Sequence, residues 1–256
     1  MTLIPSLFLS HGAPDLPIRR GSTQDFLRHL PKTLPPPRAI LMLSAHWLTR
    51  EPIVSCASQL DTIYDFGGFP GKLYQLRYPA PGAPDLANHV VKRLTEAGFP
   101  VKTHASRGLD HGAWTPLILA YPDATIPVTQ LSLQPFQTPE YHLRLGKALA
   151  PLRQDGVLIV GSGAVTHNLG AVGAAYDAPP LEWAVAFDDW LAEAIAQADI
   201  TSLLAYREKA PYAARNHPTD EHLLPLFVAL GAGGRGRVLH RSFTYGAFSM
   251  ASYAFD

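Results

Sequence analysis

Short, unbroken apolar runs that stop at a histidine recur along this chain. Leu7-Phe8-Leu9 leads into Ser10-His11-Gly12, and Ala39-Ile40-Leu41-Met42-Leu43 leads into Ser44-Ala45-His46-Trp47. Val157-Leu158-Ile159-Val160 leads through Gly161-Ser162-Gly163 to His167 and Asn168. A run without polar alternation suits a strand covered on both faces, as in a parallel sheet. Ligand chemistry in open α/β sheets gathers beyond the carboxyl ends of such strands, so the three endings point to one site.

Between these runs the apolar spacing becomes helical. Residues 22–31 predict a short helix capped by Ser22 or Thr23, with Phe26, Leu27 and Leu30 inward. Residues 84–97 predict another, with Leu86, Val90, Val91 and Leu94 on one face and Gly98 closing it. Residues 115–121, 139–153 and about 180–198 follow; Trp183, Phe187, Trp190, Leu191 and Ile195 in the last read as core packing. Thr219 is placed to cap a further helix that carries Asp220, Glu221 and His222 in its first turn, buries Leu223, Leu226, Phe227 and Leu230, and ends at Gly231. Strands are predicted over 52–56, 101–104 and 126–133, and residues 243–253 alternate like a last strand or two. The aromatic, glycine-rich stretch from Tyr64 to Gly82 predicts a wall or lid over a pocket. The expectation is a single α/β domain over residues 1–256, with a central mostly parallel or mixed sheet flanked by helices and a metal site at the strand C-terminal ends.

Composition narrows the function classes. Lys plus Arg and Asp plus Glu balance at 21 each, so no global field draws the chain to nucleic acid or to an anionic membrane. Arg235-Gly236-Arg237 reads as a solvated turn. No stretch approaches the length of apolar chain that a spanning helix needs. The first apolar run breaks at Ser10-His11 with no basic start, which argues against a signal peptide. One cysteine, Cys56, leaves no intramolecular disulfide and fits a reducing cytoplasm.

The candidate chemistry lies in the histidines. His11, His46, His111, His167, His217 and His222 sit mostly among Gly, Ser, Thr or Pro. Taken singly, each is more often a structural histidine; taken together, they form the set that imidazole-liking metals such as zinc or iron require. No His-Glu-x-x-His or Cys-x-x-Cys run is present, so the fold must assemble the site. Gly161-Ser162-Gly163 lacks the Lys-Ser/Thr ending of a phosphate loop, and Val160 and Ala164 stand where a hydrolase elbow around Ser162 needs glycines.

Several segments together carry a resemblance. They are Ser10-His11-Gly12-Ala13-Pro14, Ser44-Ala45-His46-Trp47, Tyr64-Asp65-Phe66 with Gly68-Phe69-Pro70, and Tyr78-Pro79-Ala80-Pro81-Gly82. Asp110-His111-Gly112-Ala113-Trp114, Gly161-Ser162-Gly163 through His167-Asn168-Leu169, His217-Pro218-Thr219 through His222, and Ser249-Met250 continue it in order. The chain resembles the class III extradiol ring-cleaving dioxygenases, in the branch similar to 4,5-DOPA dioxygenase. The resemblance implies one divalent ion per chain, Fe(II) or Zn(II), held by His11, His46 and His222, with His167 as acid/base or as a fourth ligand to zinc. It implies His111 as a proton donor or orienting group, and His217, Tyr64 and Phe69 against the substrate. Relatives that use a glutamate as third ligand make Glu221 the alternative to His222. The implied reactants are a small aromatic diol and O2. Three imidazoles and water are a hydrolytic arrangement too, so a zinc-dependent hydrolase on the same site is an alternative, and so is a non-catalytic interaction protein like the Memo proteins, which resemble this fold without being dioxygenases.

Overall fold

The apolar runs become strands because their alternate residues are taken up by packing layers on opposite faces of one sheet. The computed structural model describes residues 3–172 and 175–256. Its strands are β1 (Ser6–Ser10), β2 (Ala39–Ser44), β3 (Ile53–Ser55), β4 (Lys102–His104), β5 (Val128–Gln130), β6 (Val157–Gly163), β7 (Gly236–His240), β8 (Phe243–Thr244), β9 (Phe248–Ser249) and β10 (Ser252–Phe255). The helices are α1 (Ser22–His29), α2 (Pro84–Glu96), α3 (His111–Ala120), α4 (Pro139–Leu149), α5 (Glu182–Ala196), the short α6 (Ile200–Leu204), α7 (Tyr206–Lys209) and α8 (Ala213–Asn216), and α9 (Leu224–Gly233). The main sheet is mixed, in the order β5-β2-β6-β1-β10-β7. Its first four strands are mutually parallel, while β10 runs antiparallel to β1 and to β7.

Leu7, Leu9, Ile40, Met42, Leu158 and Val160 share one core with Leu27 of α1 and Trp114 and Leu117 of α3. Leu41, Leu43, Val157 and Ile159 point the other way, into a core with Leu86 and Val90 of α2, Leu145 of α4 and Val228 of α9. Phe8, on that same face of β1, packs with Phe187 and Leu191 of α5 and with Phe227 of α9. Both faces are therefore dry, which is the condition for a parallel sheet with no polar alternation. Closure of α9 onto β6 depends on two glycines. A Cβ on Gly161 would lie 2.3 Å from the Pro225 carbonyl oxygen, and one on Gly163 would lie 2.0 Å from that of His222.

Several expectations need correction. The last long helix starts at Leu224, not after Thr219, with Pro225 in its first turn, where a missing N–H costs nothing. Residues 220–223 form a turn instead, because the Asp220 carbonyl accepts from the amides of Leu223 and Leu224 at 2.9 and 3.2 Å. The helix also runs past Gly231 to Gly233. Gly21 caps α1, since the Thr23 hydroxyl is engaged with Ser242 at 2.9 Å. The helix expected over 115–121 begins at His111. Gly236 and Arg237 open the edge strand β7 rather than a solvated turn, and β3 and β4 pair with each other outside the main sheet. The short helices between 200 and 216 lack an apolar period long enough to announce them. No helix of the described residues is long and apolar enough to cross a membrane.

A buried histidine on α4 gives the fold an acid-sensitive point. His142 Nδ1 lies 2.9 Å from the Thr138 carbonyl and must donate, while its Nε2 faces the Gln134 amide at 3.4 Å and must accept. A second proton would have no acceptor, and burial pushes the imidazole down to about 4. Because the folded pKa lies below the unfolded one of about 6.5, this contribution is complete above pH 6.5 and is lost as pH falls from there towards 4. Thermal melts of wild type and His142→Gln at pH 7 and pH 5 should show the variant losing less stability over that interval, by about 2 kcal/mol.

Candidate metal centre

Three imidazoles converge beyond the carboxyl ends of β1, β2 and β6. His11 follows β1 directly, and its amide donates to the Gly163 carbonyl at 3.0 Å. His46 follows β2, where the Ala45 amide donates to Ser162 at 3.0 Å. His222 lies in the turn before α9, and its carbonyl accepts from Ala164 at 2.9 Å. Each ring is thus tied through its backbone to β6 or to the residues next to it. The His46 Nε2 stands 3.0 Å from that of His11 and 3.3 Å from that of His222.

The far sides of the rings fix what those nitrogens carry. The Ser162 hydroxyl donates to the Gly112 carbonyl at 2.5 Å, so it accepts from His11 Nδ1 at 3.0 Å. Glu221 Oε1 accepts from His222 Nδ1 at 3.0 Å. The Asp65 carboxylate lies 3.6 Å from His46 Nδ1. With the proton on Nδ1, His11 and His222 turn bare Nε2 lone pairs towards His46. One proton on His46 Nε2 can satisfy only one of those neighbours. Burial, aided by the neighbouring imidazoles, pushes His11 and His222 well below the ordinary histidine value, and burial first, then His111, brings His46 to about 4. The cluster is therefore neutral at pH 7, with the Nε2 lone pairs of His11 and His222 facing inward. A cation resolves that repulsion, and ligand nitrogens about 2.1 Å from one metal ion stand roughly 3.0–3.4 Å apart. The donor set fits a divalent metal, and His11, His46 and His222 can share one ion.

A second tier supports this cluster. Asp110 is wholly buried and accepts from Ser44 Oγ at 2.6 Å and Arg107 at 3.1 Å, joining the end of β2 to the start of α3. α3 delivers His111, whose ring centroid is 3.9 Å from that of His46. Asp65 Oδ1 accepts the His111 amide at 2.9 Å, and Oδ2 lies 3.0 Å from its Nδ1, off the direction of a good hydrogen bond. Burial opposes ionisation of Asp65, but its contacts with His111 and His46 outweigh that and hold the carboxyl at about 2. His167 stacks on His222 with centroids 3.4 Å apart and planes 9° apart. Burial lowers His167 to about 4, against an opposing pull from Glu221.

A cavity of about 710 Å³ opens on these rings, lined by His11, His46, His111, His167, Glu221, His222, Phe69 and Phe248 among others. Two residues expected against the substrate are elsewhere. Tyr64 donates its hydroxyl to the Leu76 carbonyl at 2.7 Å and packs edge-on against Trp114, so it braces the wall without facing the cavity. His217 is wholly buried against Phe187 and Tyr206 and donates Nε2–H to the Val165 carbonyl at 2.7 Å. With the His167 amide bonded to Asn216 at 2.9 Å, that contact straps down the loop bearing His167. Sequence reasoning missed Asp65 and Ser162 as orienting groups. Both lay inside segments already singled out, but as an aromatic loop and a glycine motif.

Residues 5–256 match the family model for the catalytic LigB subunit of aromatic ring-opening dioxygenase. The chain belongs to the LigB family. The 4,5-DOPA dioxygenase extradiol of Beta vulgaris is 44% identical, over 98% of this chain and 96% of that one. The Escherichia coli K12 protein of the same name is 41% identical, over 90% and 86%. An uncharacterised Escherichia coli K12 protein of known crystal structure superposes with a TM-score of 0.82 at 34% identity, over 99% of this chain and all of that one. The LigB chain is thus a ring-opening dioxygenase, an oxidoreductase that cleaves an aromatic ring with O2.

Gly112 is packed directly against the rings of this LigB site. A Cβ there would lie 2.3 Å from Ser44 Oγ, 3.0 Å from a His46 ring carbon and 3.2 Å from a His11 ring carbon. Gly112→Ala should turn both rings and weaken zinc binding about 10–100-fold; competition titration against a chelator reads the loss, and circular dichroism checks that the fold persists.

Proposed function

We propose that this chain opens the ring of a catechol on the extradiol side, within one catalytic domain over residues 1–256. His11, His46 and His222 hold one divalent ion, Fe(II) in the active form and Zn(II) as a substitute. The observation that carries this reading is the convergence of their Nε2 atoms with each Nδ1 turned to Ser162, Asp65 or Glu221. The catechol ring follows from the names of the relatives, DOPA being one catechol. Family membership favours this chemistry over the hydrolytic and non-catalytic alternatives. The single cysteine supports a reducing compartment, the cytoplasm.

The ion, when bound, supplies a common centre at which diol and O2 are brought together and activated. Holding reactants in one geometry removes much of the entropic barrier of their encounter. His167 arrives neutral, with a free lone pair, and Glu221 nearby favours its protonated form. It is placed to take a proton from a substrate hydroxyl and to return it later, a role worth about 10²–10⁴-fold in rate. As the stacked neighbour of His222, it is also the residue able to join a zinc-loaded centre. Glu221, engaged with His222 Nδ1, orients that ring rather than replacing it. His111, fixed by Asp65, meets the diol from the opposite side. Phe69 and Phe248 supply apolar walls that keep water from the ring.

Anaerobic Fe(II) loading followed by a catechol panel tests the reading, with O2 uptake and the absorbance of yellow ring-opened products as readouts. His46→Ala should lose both bound metal and activity. His167→Phe should keep the metal and lose about 10²–10⁴-fold in turnover. Undiminished O2 uptake by either variant overturns these roles.

A further inference from the structure

Hydrogen bonds at Nδ1 orient His11 and His222, but nothing comparable orients His167. Its amide is bonded to Asn216, yet among the described residues no partner holds either ring nitrogen. Stacking therefore sets the plane of the ring. It lies parallel to His222 and, on the same measure, within 10° of Phe248 at a centroid distance of 5.8 Å. Phe248 belongs to the hairpin in which β8 and β9 pair through Thr244 and Phe248. The wholly buried Thr166 hydroxyl donates to the Ala247 carbonyl and accepts from the Ser249 amide, both at 2.7 Å. The residues on either side of Phe248 are thus fastened to the residue before His167.

The tip of this hairpin carries an outlier. Tyr245 and Gly246 have φ of 56° and 68°. Two consecutive positive values favour Asn-Gly in hairpin turns, and a tyrosine there crowds its Cβ against the backbone. The Tyr245 ring meets Phe248 edge-on, with centroids 6.2 Å apart and planes 79° apart. Its hydroxyl donates to Asp15 Oδ2 at 2.7 Å, the length of a charge-assisted bond. Asp15 is 2% exposed and lies just past Gly12-Ala13-Pro14, the loop that follows His11 into the cavity wall. Arg19 Nε donates to the same oxygen at 2.6 Å, while Oδ1 is buried without a partner among the described residues. Burial first, then the Asp15 bond, pushes the Tyr245 hydroxyl up to about 12, so it stays a donor at neutral pH.

Resting on the acid/base reading of His167 above, we propose that Tyr245 is a positioning residue for that imidazole, anchored by Asp15 and acting through Phe248. The Tyr245–Asp15 bond latches the hairpin to the loop that leaves β1. Without it the strained tip is free to relax, Phe248 loses its edge-on brace, and the His167 ring can turn. The inward nitrogens of His11 and His222 are oriented by Ser162 and Glu221 and do not depend on the latch.

Tyr245→Phe in the full chain removes one hydroxyl and keeps the ring. After Fe(II) loading, O2 uptake with a catechol should show kcat reduced about tenfold, less than the roughly 100-fold of a full ångström of misplacement. KM, and zinc affinity by chelator competition, should be unchanged. Asp15→Ala should give the same loss, and the double variant should lose no more than either alone, as expected of two residues acting through one bond. The imidazole carbon–proton NMR spectrum of the zinc-loaded chain is a readout independent of turnover. The His167 signals, assigned by their absence in His167→Phe, should shift in Tyr245→Phe, while those of the distant His142 stay in place. A kcat at the wild-type level, a loss shared by KM and zinc affinity, additive losses in the double variant, or unmoved His167 signals each overturn the proposal. Tyr245→Phe and the spectra decide it even if Asp15→Ala does not fold. If wild type opens no catechol, the acid/base reading falls, and the spectra alone decide whether Tyr245 places this ring.

Discussion

Neutral imidazoles whose lone pairs face one another across about 3 Å are a poor arrangement unless something positive lies between them. The rest of the site serves to enforce that arrangement. Ser162 and Glu221 accept from the Nδ1 of His11 and His222 and so settle which nitrogen of those rings looks inward, while Asp65 lies 3.6 Å from that of His46. Burial then suppresses the protonated forms that would otherwise relieve the crowding. Local repulsion of this kind is tolerable because the strands behind it are closed on both faces and cannot yield. The same feature gives the cluster a donor set that could hold a divalent ion.

The sheet provides the rigidity. β1 and β2 flank β6 in parallel, so their carboxyl ends arrive at the same edge and release His11 and His46 side by side. The third ring comes from the far end of the chain and needs the small residues of β6 to approach closely enough. Gly163 lets the His222 carbonyl rest on the strand, and Gly161 does the same for the first turn of α9. The Gly-Ser-Gly of β6 is thus a packing motif with one orienting hydroxyl, which is why it resembles phosphate and nucleophile motifs without completing either.

Much of this was legible in the residue pattern. Apolar runs ending at His11 and His46 announce both strand and site, because burial on both faces removes polar alternation and the chemistry falls where the strand stops. The residue pattern does not separate a mixed sheet from a mostly parallel one, because a four-residue closing strand such as β10 gives no sign of its direction. Tyr64 and His217 were expected against substrate, since a motif marks a residue as needed without stating what it touches. Tyr64 proves to brace an aromatic wall, and His217 to strap down the loop of His167. The turn at Asp220 was hidden because a threonine-led acidic stretch reads as a helix start, whereas Pro225 and the engagement of Asp220 by Tyr206 and Arg207 shift that start downstream.

Asp65 belongs to two structures at once. It lies in the aromatic loop that also supplies Phe69 to the cavity wall, and its carboxylate serves both His46 and His111. The wall of the cavity is therefore mechanically joined to the clustered imidazoles. A remodelled loop that re-aims Phe69 would also shift the anchor behind two imidazoles.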